Sequence, residues 1–283
     1  MSSNSMSGKV CMVTGANSGI GEKVVLGLAG MGSTVVMVCR DKSKGEAAKE
    51  AVTSQTGNKN IELMIADLAS LASVRDLAQR FKETHPRLNV LVNNAGLIMG
   101  RRISTVDNLE TTFEVNYLSH FLLTLLLLDT LEASAPSRII NVSSSAHTNG
   151  KMDFDDLQET KSYSAMRSYS QSKLAQVLFT YELAKKLQGT GVTVNAVHPG
   201  VVRTRWGDEG GALGIGIRLG RPFMISPEKG AETPIYLASS TDVEGITGKY
   251  WYKKKEQPSS KESYDENEAR LLWLESTRLA GVD

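Results

Sequence analysis

A tyrosine and a lysine stand four residues apart in the stretch YSQSK, as Tyr169 and Lys173. On a helix that spacing puts both side chains on one face, one turn apart. A free phenol has a pKa of about 10 and is a poor proton carrier at neutral pH. A nearby ammonium favours the phenolate and lowers that value. The pair could therefore work as an acid–base couple, Tyr169 moving the proton and Lys173 tuning it. The same spacing also occurs in ordinary polar helical turns, so the rest of the chain must supply the reason for it.

A second candidate is the stretch TGANSGIG, residues 14–21. It follows an apolar run and opens a helical pattern, the context in which a glycine-rich turn binds phosphate. The unpaired N–H groups of the helix start and its dipole favour a pyrophosphate. Gly15 would serve the tight turn, Gly19 the approach of the phosphate and Gly21 close helix–sheet packing. Asn17, Ser18 and Ile20 complete the expected contact surface. The spacing is Gly-x-x-x-Gly-x-Gly, and glycines also suit tight strand–helix turns that bind nothing.

The next apolar run ends in VCRD. Many NAD-binding proteins carry an acid there for the ribose 2′-hydroxyl. Here Arg40 follows Cys39, and a guanidinium suits a 2′-phosphate. NADP(H) is the expected cofactor, with Asp41 assigned to capping the following helix. MIADLAS sets Asp67 and Leu68 past a third strand, and NNAG sets Asn94, Ala95 and Gly96 at the end of a fourth. Ligands of open α/β sheets bind at such carboxyl ends. A purely structural role stays open for Asn93.

These residues need elements to hold them. KVCMVTG, STVVMVCR, IELMIADL, LNVLVNNAG, SRIINVSS and VTVNAVHPG read as strands, apolar throughout and so covered on both faces. Helical stretches alternate with them, the first from about Ser18 to Met31. The expected fold is α/β: a single doubly wound Rossmann-type domain with a mainly parallel sheet and helices on both faces. The length of 283 residues suits one such unit, and no repeat or linker divides it. Residues 205–226, rich in glycine, are expected to form a substrate loop or a plain surface loop. Residues 253–268 read as a solvated connection to a C-terminal helix over 265–281.

Composition narrows the function classes. A net charge of +1 gives no electrostatic case for nucleic acid. The two cysteines, Cys11 and Cys39, lie in apolar runs and offer neither a disulfide framework nor metal spacing. No metal site is expected; Asp153, Asp155 and Asp156 lack the pattern of a calcium loop. The longest apolar run, FLLTLLLLDTL, is shorter than the roughly 20 residues that span a bilayer, and the N-terminus has no signal-peptide core. A cytoplasmic protein without an integral membrane segment is the expectation.

TGANSGIG, NNAG, VSSSA, YSQSK and HPG occur in this order, and with them the chain resembles the short-chain dehydrogenase/reductase family over about Lys9 to Tyr252. VNYLSHFLLTLLLL, RIINVSSSAH, SKLAQVLFTYELAKKL and the ending GKYWYKKKE…ARLLWLES resemble its retinol dehydrogenase-like branch. The resemblance implies a reductase or dehydrogenase of carbonyl and alcohol groups, often apolar, with NADP(H). It implies a catalytic set of Asn116, Ser144, Tyr169 and Lys173, with Ser143 the second choice for the serine. Ser144 would orient the substrate oxygen and stabilise developing charge. Lys173 would also hold the nicotinamide ribose, and Asn116 would hold a relay water beside it. Pro199, Gly200, Val202 and Thr204 would meet the nicotinamide end. His147 and Trp206 are expected at the substrate pocket, and His198 in a structural role. Tyr163, with Arg167 four residues on, departs from the motif, and Tyr117 reads as core. A homodimer through the helices at about 108–133 and 164–188 follows by analogy. Two other readings stay open: a non-catalytic dinucleotide-binding sensor or interaction module, and a C=C reductase related to protochlorophyllide reductase.

Overall fold

The apolar runs become strands of one sheet in the computed structural model, which describes residues 5–201 and 224–282. They are β1 (Val10–Thr14), β2 (Thr34–Cys39), β3 (Ile61–Ile65), β4 (Val90–Asn93), β5 (Ser137–Val142), β6 (Val192–Val197), β7 (Tyr250–Tyr252) and β8 (Lys255–Gln257). The order is β3-β2-β1-β4-β5-β6-β7-β8, and every pair is parallel except β7 with β8. The chain starts in the middle, winds outward to β3, and returns to β4 beside β1. The turns leaving β1 and β4 therefore part in opposite directions and open a crevice at their carboxyl ends.

Helices cover both faces. On one lie α1 (Gly19–Gly30), α2 (Lys42–Thr56) and α8 (Pro227–Ser239). The other holds α3 (Leu71–Thr84), a broken helix and α7 (Ala165–Lys186). Local chemistry explains the ends. Asp41 caps α2 by accepting from the Lys44 N–H, and Gly57 closes it in the left-handed region at φ +69°. In α3, Leu71, Val74, Leu77, Ala78 and Phe81 form the buried stripe.

The helix expected over about 108–133 is not continuous. It runs as α4 (Thr111–Phe113), a π-helical turn (Glu114–Leu118), α5 (Ser119–Leu126) and α6 (Leu128–Ala133). The π turn carries Asn116, and such turns are frequent at functional sites. The solvated connection expected over 253–268 also contains structure. Its first residues pair back on β7 as β8, all charged or polar and exposed, which blunts the sheet edge.

The two helices expected to meet a partner subunit are crossed by α9 (Glu266–Ala280), the C-terminal helix. It lies across α5 and α7 of its own chain. The Trp273 ring sits 5.2 Å from Phe121 and 6.0 Å from Phe179, and Lys186 Nζ lies 4.5 Å from the same indole. Tyr117 bonds the Ser276 hydroxyl at 2.7 Å. Part of the apolar surface of both helices is thus covered within the chain, which accounts for some of their greasiness beyond one buried face. No helix among the described residues is long and apolar enough to cross a membrane.

Candidate active site

The turn after β1 is built by its glycines. Gly15 and Gly19 take φ +65° and +58°, the left-handed region open to glycine. A Cβ on Gly21 would lie 2.3 Å from the Gly15 carbonyl oxygen and 2.5 Å from Asn94 Nδ2. At Gly19 a Cβ would meet no atom within 4 Å, so the start of α1 faces open space. Ser18 caps that helix with extended backbone and no side-chain hydrogen bond. The first N–H groups are therefore free to meet an anion, and the turn fits a pyrophosphate.

Thr14 joins this turn to the one after β4. Its Oγ1 accepts the N–H groups of Asn94 at 2.9 Å and Ala95 at 3.0 Å, and Asn94 Nδ2 donates to the Thr14 carbonyl at 2.8 Å. Asn93 is buried and spends its amide on Thr124 and Asn141, a structural use. Beyond β2, Asp41 is turned into the α2 cap and toward Lys44, and Arg40 stands exposed at the cleft edge. The cleft measures about 880 Å³, of the size that holds a cofactor with its substrate. Every dinucleotide residue expected between Gly15 and Gly96 lines it, Arg40, Asp67 and Leu68 included, and so do Pro199 and Gly200. Val202, Thr204, Trp206 and the expected substrate loop over 205–226, up to residue 223, fall outside the described residues.

Tyr169, Lys173 and Ser144 meet at the other end of this cleft. Lys173 Nζ lies 5.6 Å from the centre of the Tyr169 ring. It donates to the Val142 carbonyl at 3.0 Å and to Gln176 Oε1 at 2.9 Å. Between the serines, both of which line the cleft, Ser143 is buried and its hydroxyl is spent donating to the Lys173 carbonyl at 2.8 Å, whereas the Ser144 hydroxyl lies beside Tyr169 and eases its proton affinity downward. Burial dominates both proton affinities. It holds the Tyr169 hydroxyl above the usual phenol range, eased by Ser144, and presses the Lys173 ammonium down to about 7. Desolvation thus raises the Tyr169 proton affinity, where a lowering by Lys173 was expected.

Two expected site residues lie elsewhere. Asn116 sits behind the cleft: its Oδ1 accepts the Leu97 N–H at 2.8 Å and its Nδ2 donates to the Leu97 carbonyl and to Ser172 Oγ. Its main-chain carbonyl accepts from Gln176 Nε2 at 2.8 Å and bonds His120 Nδ1 at 3.0 Å. His147 does not line the cleft. Its Nδ1 bonds the Ser144 carbonyl at 2.7 Å and its Nε2 accepts the Ser260 N–H, so it anchors the serine's backbone rather than meeting substrate.

The decoys are also accounted for. His198 Nδ1 accepts the N–H groups of Ser145 and Gly200, and burial pushes its pKa down to about 4. Tyr163 donates to the Met99 carbonyl, and Arg167 pairs with Glu159. Asp156 accepts from Thr160 and Lys161 in a turn.

Reading along the chain missed the apolar end of the cleft. Leu97, Ile98, Met166, Val201 and Met224 line it, with Met166 49% and Val201 60% exposed. Met166 was reachable from sequence, because it precedes Tyr169 by three residues on the same helical face. Gln176 was reachable in the same way, three residues after Lys173, although its bond to the Asn116 carbonyl was not; His120 and Thr14 gave no such signal, since they meet through a contact distant in sequence.

The chain matches the short chain dehydrogenase family over residues 9–211. It is 47% identical to retinol dehydrogenase 13 of Homo sapiens over 283 residues, covering 98% of this chain and 86% of that protein. Against retinol dehydrogenase 12 of Mus musculus it is 44% identical over 275 residues, 97% and 87% of the two chains. Among solved structures, an uncharacterized protein from Mycobacterium Paratuberculosis aligns with a TM-score of 0.81 at 32% identity, over 99% of this chain and 96% of that one. An NADP active-site complex of Pseudomonas aeruginosa RhlG aligns at 0.71 and 27% identity, over 88% and 96%.

Proposed function

The chain belongs to the short-chain dehydrogenase family, and from that premise we propose that it is an NADP(H)-dependent oxidoreductase of an apolar alcohol–carbonyl couple. The observation that carries this reading is the convergence of Tyr169, Lys173 and Ser144 on one end of a cleft whose other end holds a glycine turn and Arg40. Arg40 favours NADP(H), because a guanidinium pairs with a 2′-phosphate and the adjacent Asp41 is spent on capping its helix. The NADP complex of RhlG is consistent with that preference.

The nicotinamide, when bound, supplies or accepts the hydride. The protein's own residues handle the oxygen. Ser144 donates a hydrogen bond to the carbonyl oxygen and stabilises its growing charge. Tyr169 remains protonated at neutral pH because burial raises its pKa, so it can give that oxygen a proton. In the reverse direction Tyr169 takes the proton from the alcohol. Lys173, when protonated, offsets the charge left on the phenolate and presents its remaining N–H toward the cleft. Apolar side chains around this centre favour a hydrocarbon-rich substrate and keep water from the reaction. A retinoid fits that chemistry, in keeping with the names of the two retinol dehydrogenases that the chain resembles.

The test is loss of NADPH absorbance with retinaldehyde, aliphatic aldehydes and ketones, run on the wild type and on Tyr169→Phe. The variant should lose about 10²–10⁴-fold in turnover, the span of a general acid, and should bind NADPH like the wild type. Normal turnover in Tyr169→Phe, or a preference for NADH, would sink the reading.

A further inference from the structure

One buried polar side chain beside the reactive pair has no part in that mechanism. Gln176 follows Lys173 by three residues on α7 and is buried. Its Oε1 accepts from Lys173 Nζ at 2.9 Å, and its Nε2 donates to the Asn116 main-chain carbonyl at 2.8 Å. Only this orientation of the amide works. Turning it over would set N–H against an ammonium and oxygen against a carbonyl.

The arrangement extends further. A carbonyl can only accept, so His120 Nδ1 carries the proton toward Asn116 at 3.0 Å. His120 Nε2 then accepts the Thr14 hydroxyl at 2.9 Å. Both lone pairs of the Asn116 carbonyl are used, one by Gln176 and one by His120. The lysine head is therefore tied through Gln176, Asn116 and His120 to Thr14, which holds the turns after β1 and β4 together.

We propose that Gln176 is a positioning residue for the reaction: its amide locks Lys173 to the Asn116 carbonyl and so fixes the ammonium beside Tyr169. The inference rests on the oxidoreductase reading above. A side-chain amide passes no proton without changing tautomer, so the lysine is held by a fixed link and exchanges protons on its cleft side. The titratable neighbours are Tyr169, under the lysine head, and His120, whose protonation the lysine opposes. No carboxylate pairs with Lys173 among the described residues.

Gln176→Met keeps the length and removes both hydrogen bonds. Gln176→Glu keeps an acceptor and sets a carboxylate against the lysine. In Gln176→Met, kcat should fall ten- to a hundredfold with a displaced pH profile, the carbonyl KM should stay within twofold, and NADPH should bind several-fold more weakly. In Gln176→Glu, the rise of the thermal midpoint with pH should begin at least one pH unit higher, because the carboxylate keeps Lys173 charged. Unchanged kcat and pH profile in Gln176→Met would overturn the proposal. So would loss of activity in both variants with the pH profile and the thermal curve unmoved, the mark of a merely structural side chain. If the wild type reduces no carbonyl, the reading of function fails alone, and NADPH binding and the thermal curves still decide on Gln176.

Discussion

Substituting the last two glycines of the first turn should separate its structural role from its binding role. At Gly21 a new Cβ would press on the Gly15 carbonyl oxygen at 2.3 Å and on Asn94 Nδ2 at 2.5 Å. Neither can yield without moving the turn or breaking the Asn94–Thr14 hydrogen bond. Overpacking costs about 1–3 kcal/mol and the lost bond about 1 kcal/mol. Gly21→Ala should therefore destabilise by about 2–4 kcal/mol. At about 2–4 °C per kcal/mol for a large domain, the midpoint should fall by roughly 5–15 °C. At Gly19 the new Cβ meets no protein atom within 4 Å, on a residue that lines the cleft. The left-handed φ costs a non-glycine residue about 1–2 kcal/mol, so Gly19→Ala should lose only a few degrees. Its methyl stands where the phosphate must approach, and NADPH affinity should fall at least tenfold, about 1.4 kcal/mol. Thermal denaturation without cofactor and a fluorescence titration with NADPH read the two effects separately. A Gly19→Ala protein that binds NADPH like the wild type would refute the phosphate assignment. A Gly21→Ala protein that keeps its midpoint would refute the packing argument.

Arg40→Asp should lower NADPH affinity ten- to a hundredfold, in line with about 1.5–3 kcal/mol for a charged hydrogen bond, and raise that for NADH. Unchanged selectivity in paired titrations would mean the 2′-phosphate is held elsewhere. Lys173 makes stability depend on pH in a defined window. Its folded pKa of about 7 lies below the ordinary value of 10.5, so between those limits the unfolded chain holds a proton that the folded chain lacks. Stability must then rise with pH from about 7 to 10.5, and below pH 7 this group adds no slope. At about 1.4 kcal/mol per pH unit, the effect is capped near 5 kcal/mol. Lys173→Met should remove that rise and abolish turnover, with the lost bonds to Val142 and Gln176 offsetting part of its gain at neutral pH. Parallel midpoint curves for the two proteins between pH 6 and 10 would refute it.

Much of the site was legible because its parts are local. The turn in TGANSGIG needs glycine for reasons internal to eight residues, and the Tyr169–Lys173 spacing is one turn of helix wherever that helix sits. The six long strands announced themselves by being apolar throughout, as parallel strands covered on both faces must be. β7 and β8 did not, because three-residue strands carry too little pattern and one of them is fully exposed. His147 looked like a pocket residue from its place after VSSSA, yet Tyr250 packs on its ring and Ser260 claims its Nε2, both about a hundred residues away. The helices at about 108–133 and 164–188 were apolar enough to suggest a partner. No local pattern could tell that Trp273 and Ser276 of the same chain would pack on them.

The sequence by itself determined the fold class, the dinucleotide turn and the reactive pair, since helical spacing, strand hydrophobicity and backbone freedom are properties of neighbouring residues. Only the tertiary structure decided that the Ser143 hydroxyl is tied to the Lys173 carbonyl, that α9 packs on α5 and α7, and that Gln176 stands between Lys173 and Asn116. It also decided the balance of proton affinities. Lys173 and Tyr169 are close in any helix, but how far each departs from its ordinary pKa depends on desolvation, and burial is set by elements that arrive from the whole length of the chain.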